Sequence, residues 1–176
     1  VSLLASMVVA LGEDGARTWA KSLRENLARK PQGNDRAQVK AVYEGQCDVA
    51  VGNTYYMGKM ATNEKSPEQK DWAKSVRIIF PNQADRGTHV NISGAAVTKS
   101  ARNKANALKL IEYLSSASAQ KIYAETNFEY PVLDGVALHP IVASWGTFKA
   151  DKAYLAKIAE QRSLASRLVD QVAFNK

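Results

Sequence analysis

The sequence has little of what most protein metal and redox sites are built from. It holds one cysteine, Cys47, and two histidines, His89 and His139, in 176 residues. A single cysteine excludes an internal disulfide and any Cys-x-x-Cys motif for zinc or redox chemistry. Long apolar runs are also missing. The longest apolar stretch, residues 3–11, falls short of the roughly 18 residues that cross a bilayer. It also lacks the basic leader and cleavage site of a signal peptide. No G-x-S-x-G elbow, Walker-A loop or G-x-G-x-x-G occurs. Glu44 and Asp48 are the nearest approach to a carboxylate pair, but Asp48 sits in a strand-like run that turns it outward. No enzyme class is therefore expected.

What is present suits a globular protein. Hydrophobic residues make up 45% of the chain, enough to bury a core in one domain or in parts of two. The net charge is +7, which raises the question of a polyanion partner. The basic residues are scattered, however: Lys21, Arg24, Arg29 and Lys30, then Lys99, Arg102 and Lys104, then Lys149, Lys152 and Lys157. No dense basic block is interleaved with aromatics, so no nucleic-acid partner is expected. Val1 opens directly into a periodic apolar pattern without a cap. This predicts that a preceding segment is missing.

Helical and strand-like segments alternate along the chain, which predicts α/β layers. Residues 2–11 and 18–29 read as two helices separated by Gly12 and Gly15, with Trp19, Leu23 and Leu27 on one stripe. Residues 30–35 are turn-rich. Residues 36–44 resume helical spacing, with Gly45 as the C-terminal cap. Ser66, Pro67 and Gln69 predict a capped helix start. Residues 103–114 form an amphipathic pattern through Ala107, Leu108, Ile111 and Leu114. Strands are predicted at 47–52, 77–80 and 87–98, with an extended segment at 127–132.

The informative segment runs from Cys47 to Tyr56. A strand passes through Gly52 to Asn53, a good N-cap, and two adjacent tyrosines follow, Tyr55 and Tyr56. Adjacent side chains on a strand point to opposite faces. At a helix start they lie only about 100° apart around the axis, so both phenol oxygens can converge on one point. A phenol is normally protonated, with a pKa near 10. A hard, highly charged cation can displace that proton, and the positive end of the helix dipole favours anionic oxygen. Zinc or copper sites would draw on cysteine and histidine, which are scarce here. By itself the pair also fits one core ring beside one surface ring.

The string VGNTYYMGKM closely resembles the tyrosine-pair segment of periplasmic ferric-iron-binding proteins, the substrate-binding components of bacterial iron ABC transporters. ARKPQGNDRAQVKAVYEGQCDVA, FPNQADRGTHVNISGAAVTKSA and AQKIYAETNFEYPV are similar to the same family, in the same order. The resemblance implies a type II periplasmic-binding-protein fold, like a transferrin lobe, with ferric iron held in a cleft between two lobes. It implies Tyr55 and Tyr56 as the iron ligands. It also gives Asn53, and in some relatives Asn34, to a synergistic anion such as carbonate or phosphate. Family members carry a long N-terminal half with a signal peptide and further ligands, none of it in this chain. The expectation is an incomplete two-lobe fragment. Residues 1–85 would belong to the C-terminal lobe, 86–138 would return to the N-terminal lobe, and 139–176 would pack back as C-terminal helices. The chain alone would be unstable, pair with its missing half, or self-associate. The implied setting is the periplasm, the implied partner an inner-membrane ABC permease. A solute-binding protein of the same fold for a small anion, an iron chelate or another metal is the alternative.

The remaining candidates have plainer readings. His89 is expected to be a satisfied structural histidine, and His139 has no role. Tyr130 packs. Tyr43, Tyr113, Tyr123 and Tyr154 sit among apolar neighbours at helical spacing and predict core or half-buried rings. Arg36 is expected to be solvated, and Cys47 to be a buried structural thiol.

Overall fold

The computed structural model describes residues 1–175. Among them are nine α-helices: α1 (Ser2–Glu25), α2 (Asp35–Tyr43), α3 (Thr54–Ala61), α4 (Glu68–Lys74), α5 (Lys104–Leu114), α6 (Ala117–Ile122), α7 (Pro140–Ala143), α8 (Leu155–Glu160) and α9 (Arg162–Gln171). A π-helical turn, Tyr123–Asn127, continues α6. The elements fall into two compact units. One takes Val1–Gly33, Ile79–Asn91 and the segment from Phe148 onward. The other takes Asn34–Ile78 and Ile92–Thr147.

In the first unit, α1 packs against α8 and α9. The two helices expected at 2–11 and 18–29 are present within α1, which breaks at Gly12 (φ 72°, ψ 177°); the second starts earlier than expected and runs through Gly15. Only glycine adopts that backbone freely, so the kink is written in the residue type. Leu4, Ala5, Met7 and Val8 before the kink and Ala16 and Ala20 after it form the buried face. They meet Ile158, Ala165, Leu168 and Val172. Ala16 and Ala165 are fully buried, and their small size lets the helix backbones approach closely. Leu168 is fully buried, and truncating such a side chain to alanine costs about 2–5 kcal/mol. Near this core, Arg86 Nη1 pairs with Asp151 Oδ2 at 3.1 Å, while Arg86 Nη2 lies 2.9 Å from Met7 Sδ.

In the second unit, α2, α3 and α4 pack on one another, and α6 leads through the π-turn back to α3. The expected start of α2 is present. Asn34 adopts an extended conformation and its side chain accepts from the Ala37 N–H. Gly45 follows α2 with φ 71°, the left-handed C-cap expected of it. The start of α4 differs from expectation. Pro67 occupies the cap position, and Asn63 organises the turn in place of Ser66. Asn63 Oδ1 accepts from the N–H groups of Lys65 and Ser66, and its Nδ2 donates to Gln69. Gln69 is thereby drawn away from a capping box. The apolar stripe expected on α5 is not covered among the described residues: the helix has no buried residue.

The expected strands are extended segments without ladders. Among the described residues the strand-like pairing is one isolated parallel bridge, Thr88 with Ala150. It is flanked by Thr88 N–H to Lys149 O and Asp151 N–H to Thr88 O, both 2.8 Å. A strand is defined by its neighbour's hydrogen bonds, and alternating sequence alone does not supply a neighbour. Val49, Val51, Ile79 and Ile92 stand exposed as a result.

Candidate metal centre

Asn53 and the first turn of α3 set the site. Asn53 is extended (φ −86°, ψ 137°), and its side chain makes no cap bond to the helix. Its donors face Asp35, whose Oδ1 accepts the Asn53 backbone N–H at 2.6 Å and its Nδ2 at 3.1 Å. Asp35 opens α2, so one carboxylate ties the starts of two helices together. Gly52 allows this approach, since a β-carbon there would lie 3.1 Å from Asp35 Oδ1.

Tyr55 and Tyr56 follow in the first turn. Their ring centroids are 4.3 Å apart and the planes tilt by 30°. The rings therefore lie side by side, and both are half-buried. A hydrogen bond to Tyr56 is the main reason that the Tyr55 phenol is pushed up to about 12. Burial, the charge of Tyr56, and the carboxylates of Asp35 and Glu129 add to it. Each effect disfavours a phenolate at Tyr55 while no cation is there to share it. Against that, each ring faces a cation. Lys59 Nζ stands 5.2 Å from the Tyr55 centroid and Arg36 Cζ stands 5.2 Å from that of Tyr56. Arg36 is half-buried and its Nε is buried without a hydrogen-bond partner. The expected solvated arginine is instead a lid on a phenol ring.

The back of α3 is supported by the turn after α6. Phe128 ends the π-turn in the left-handed conformation (φ 60°, ψ 31°) and packs against Gly58, which is buried. His139 meets Phe128 edge-on at 4.6 Å and accepts the Ile141 N–H on Nδ1 at 3.1 Å. It has a packing and capping role that the sequence reading had not assigned. Glu129 is oriented by Ser93 Oγ, which donates to it at 2.8 Å.

The structure thus brings Tyr55, Tyr56 and Asn53 together. It places Asn34 one residue from Asp35, with its Oδ1 used on the α2 N-terminus. Asp35, Lys59 and Glu129 were not identified from sequence. Asp35 and Lys59 carried a signal, one beside Asn34 and the other one helical turn from Tyr55. For Glu129 nothing local pointed to the site. Among the described residues no group of three His, Cys, Asp or Glu side chains could hold a metal ion. The phenols are the donors that suit a hard cation here. Both would lose a proton to bind it.

Other candidates resolve as packing or surface groups. In the first unit His89 Nε2 lies 3.0 Å from Ser2 Oγ, and burial lowers its pKa from the ordinary 6.5. Tyr130 is half-buried, and desolvation raises its pKa. Cys47 is a free, half-buried thiol rather than a fully buried one. Tyr43, Tyr113 and Tyr154 are exposed, against the expectation of core or half-buried rings: helical spacing does not say which face a neighbouring element covers.

Known proteins resemble this chain along most of its length. Residues 2–152 match the family described as bacterial extracellular solute-binding protein. The chain is 47% identical over 173 residues to iron uptake protein A1 of Synechocystis sp., covering 98% of this chain and 48% of that protein. It superposes on the apo ferric ion-binding protein A of Pasteurella haemolytica with a TM-score of 0.93 and 49% identity, over 99% of this chain and 54% of that one. A Trichodesmium protein solved in complex with iron and citrate matches with a TM-score of 0.92 and 43% identity, over 98% and 54%. The chain spans about half the length of the curated relatives it matches, and it has the periplasmic-binding-protein fold of these neighbours across that span. It belongs to the bacterial extracellular solute-binding protein family.

Proposed function

We propose that this chain supplies the phenolate half of an extracytoplasmic ferric-iron site, with Tyr55 and Tyr56 as ligands and iron as cargo. The carrying observation is the pairing of two half-buried phenols 4.3 Å apart in the first turn of α3. Two hard phenol oxygens meeting at one ion would match ferric iron better than the softer divalent metals. Several relatives, named for iron uptake or ferric-iron binding, support the reading. Capture and release proceed without chemical turnover, and delivery is to an inner-membrane ABC permease from the periplasm. Further ligands come from the rest of a longer protein, with which this chain pairs. In that protein we assign residues 1–85 and 139–176 to one lobe and 86–138 to the other. That division concerns the whole protein and is distinct from the two compact units within this chain.

A synergistic carbonate or phosphate would draw on Asn53 and Asn34. The Asn53 donors already face Asp35, so an anion there competes with a carboxylate. A second reading, capture of an organic iron chelate, is favoured by the Trichodesmium relative, solved with iron and citrate.

The test is optical. The full-length protein with ferric iron should show a phenolate-to-iron charge-transfer band in the visible, and changing Tyr55 and Tyr56 together to Phe should abolish it. A band that survives the double change sinks the ligand assignment. Binding of ferric citrate without that band, unaltered by the double change, would favour the chelate.

A further inference from the structure

We propose that Asp35 is the positioning residue of the phenol pair, holding the entry to α3 through the backbone N–H and the side-chain amide of Asn53 and repelling exogenous oxyanions from those groups. The inference rests on the reading of Tyr55 and Tyr56 as iron ligands and adds to it a residue that binds no iron.

The geometry is specific. Asp35 Oδ1 accepts two hydrogen bonds from one residue, at 2.6 Å to the backbone N–H and 3.1 Å to the side-chain amide. Asn53 is the residue immediately outside α3. Its backbone direction sets where the first turn, and hence both phenols, begin. The side chain of Asn53 is free to serve Asp35 because it does not cap α3. Asp35 is itself fixed, since Asn34 caps α2 directly before it and Gly52 leaves room for its carboxylate. Arg36, the next residue, lies over Tyr56. Three consecutive residues of α2 and its cap therefore brace the start of α3. A carboxylate and a phosphate or carbonate offer the same oxygen acceptors. While Asp35 holds the Asn53 backbone N–H and one proton of its amide, an outside oxyanion finds only the second amide proton, beside a carboxylate that repels it.

The experiment follows iron binding by the charge-transfer band in the full-length protein, with iron supplied as its nitrilotriacetate chelate and with or without inorganic phosphate. The variants are Asp35→Ala, Asp35→Asn, and the Tyr55→Phe/Tyr56→Phe control. Wild type should bind iron equally with and without phosphate. Asp35→Ala should bind about tenfold more weakly or worse, the loss expected of a charge-assisted hydrogen bond. Phosphate should restore part of that loss by taking the freed donors. Asp35→Asn keeps an oxygen acceptor of the same shape but loses the charge, so it should bind more tightly than Asp35→Ala, and its weaker hold and lost repulsion should admit phosphate and make binding sensitive to it. It also decides the matter if Asp35→Ala does not fold. Asp35 variants that bind like wild type overturn the inference, as does a wild type that needs phosphate or a weakened Asp35→Ala that phosphate leaves unchanged. A wild type with no band, or a band that survives in the double Phe control, counts against the iron ligands themselves and is seen separately.

Discussion

The β-carbon that Gly58 lacks would lie 2.3 Å from Cγ of Phe128. Helix α3 can rest on the turn after α6 only because position 58 has no side chain. Phe128 cannot easily retreat, since it holds a left-handed backbone conformation that bulky residues seldom adopt. Gly58→Ala should therefore destabilise the protein by about 1–3 kcal/mol, the usual cost of overpacking. Denaturant unfolding at constant m-value measures it. An unchanged midpoint would mean that Phe128 swings away freely.

The phenol pair predicts how iron affinity depends on pH. Tyr55 is pushed up to about 12 by its bond to Tyr56, so near neutrality it is protonated before iron arrives. Iron bound as proposed would expel one proton from each phenol, and affinity would fall as pH falls. The expected slope is about 100-fold per pH unit, tenfold for each phenol displaced. Tyr55→Phe or Tyr56→Phe alone should halve it on a logarithmic scale. Competition against a chelator of known protonation between pH 6 and 8 provides the readout. A slope untouched by either change would remove that phenol from the ligand set.

Arg36 and Tyr56 can be tested as a pair. A guanidinium over a ring in a half-buried site is worth about 0.5–2 kcal/mol. Arg36→Met should lose that much stability in wild type and in a Tyr56→Phe background, where the ring remains. In a Tyr56→Leu background the loss should vanish. The double-mutant cycle isolates the term, and equal losses in all three backgrounds would place the effect of Arg36 elsewhere.

His89 makes a prediction about acid. Burial lowers its pKa from 6.5 in the folded chain, the nearby Arg86 adds to this, and Asp151 opposes it. The unfolded chain therefore binds the proton more tightly. Above about pH 6.5 His89 is neutral in both states and costs nothing. As pH falls from there through the lower folded-state value, stability declines. The melting temperature of wild type should drop over that window more than that of His89→Asn, and parallel curves would show that His89 does not drive the acid dependence.

Much of the candidate site's local geometry was legible in the chain because its signals are local. Two tyrosines following Asn53 after a strand-like run required only the geometry of a helix start to be brought together. Asn34 as the cap of α2 and Gly45 as its terminator were equally local. The contacts that tune the site were not. Asp35 lies 18 residues from Asn53, Phe128 lies far along the chain from Gly58, and Glu129 reaches the electrostatics of Tyr55 from a turn with no motif of its own. Such pairings depend on how helices dock.

By itself the sequence determined most of the helices, the break at Gly12, the scarcity of cysteine and histidine, and the adjacency of two phenols. These follow from side-chain type and from rotation about a helix axis, within a few residues. Tertiary structure alone decided that Arg36 lies over the Tyr56 ring, that Asn53 donates to Asp35, and that Phe128 backs Gly58. Each of those needs a partner from a distant part of the chain, and periodicity carries no information about which partner will be there.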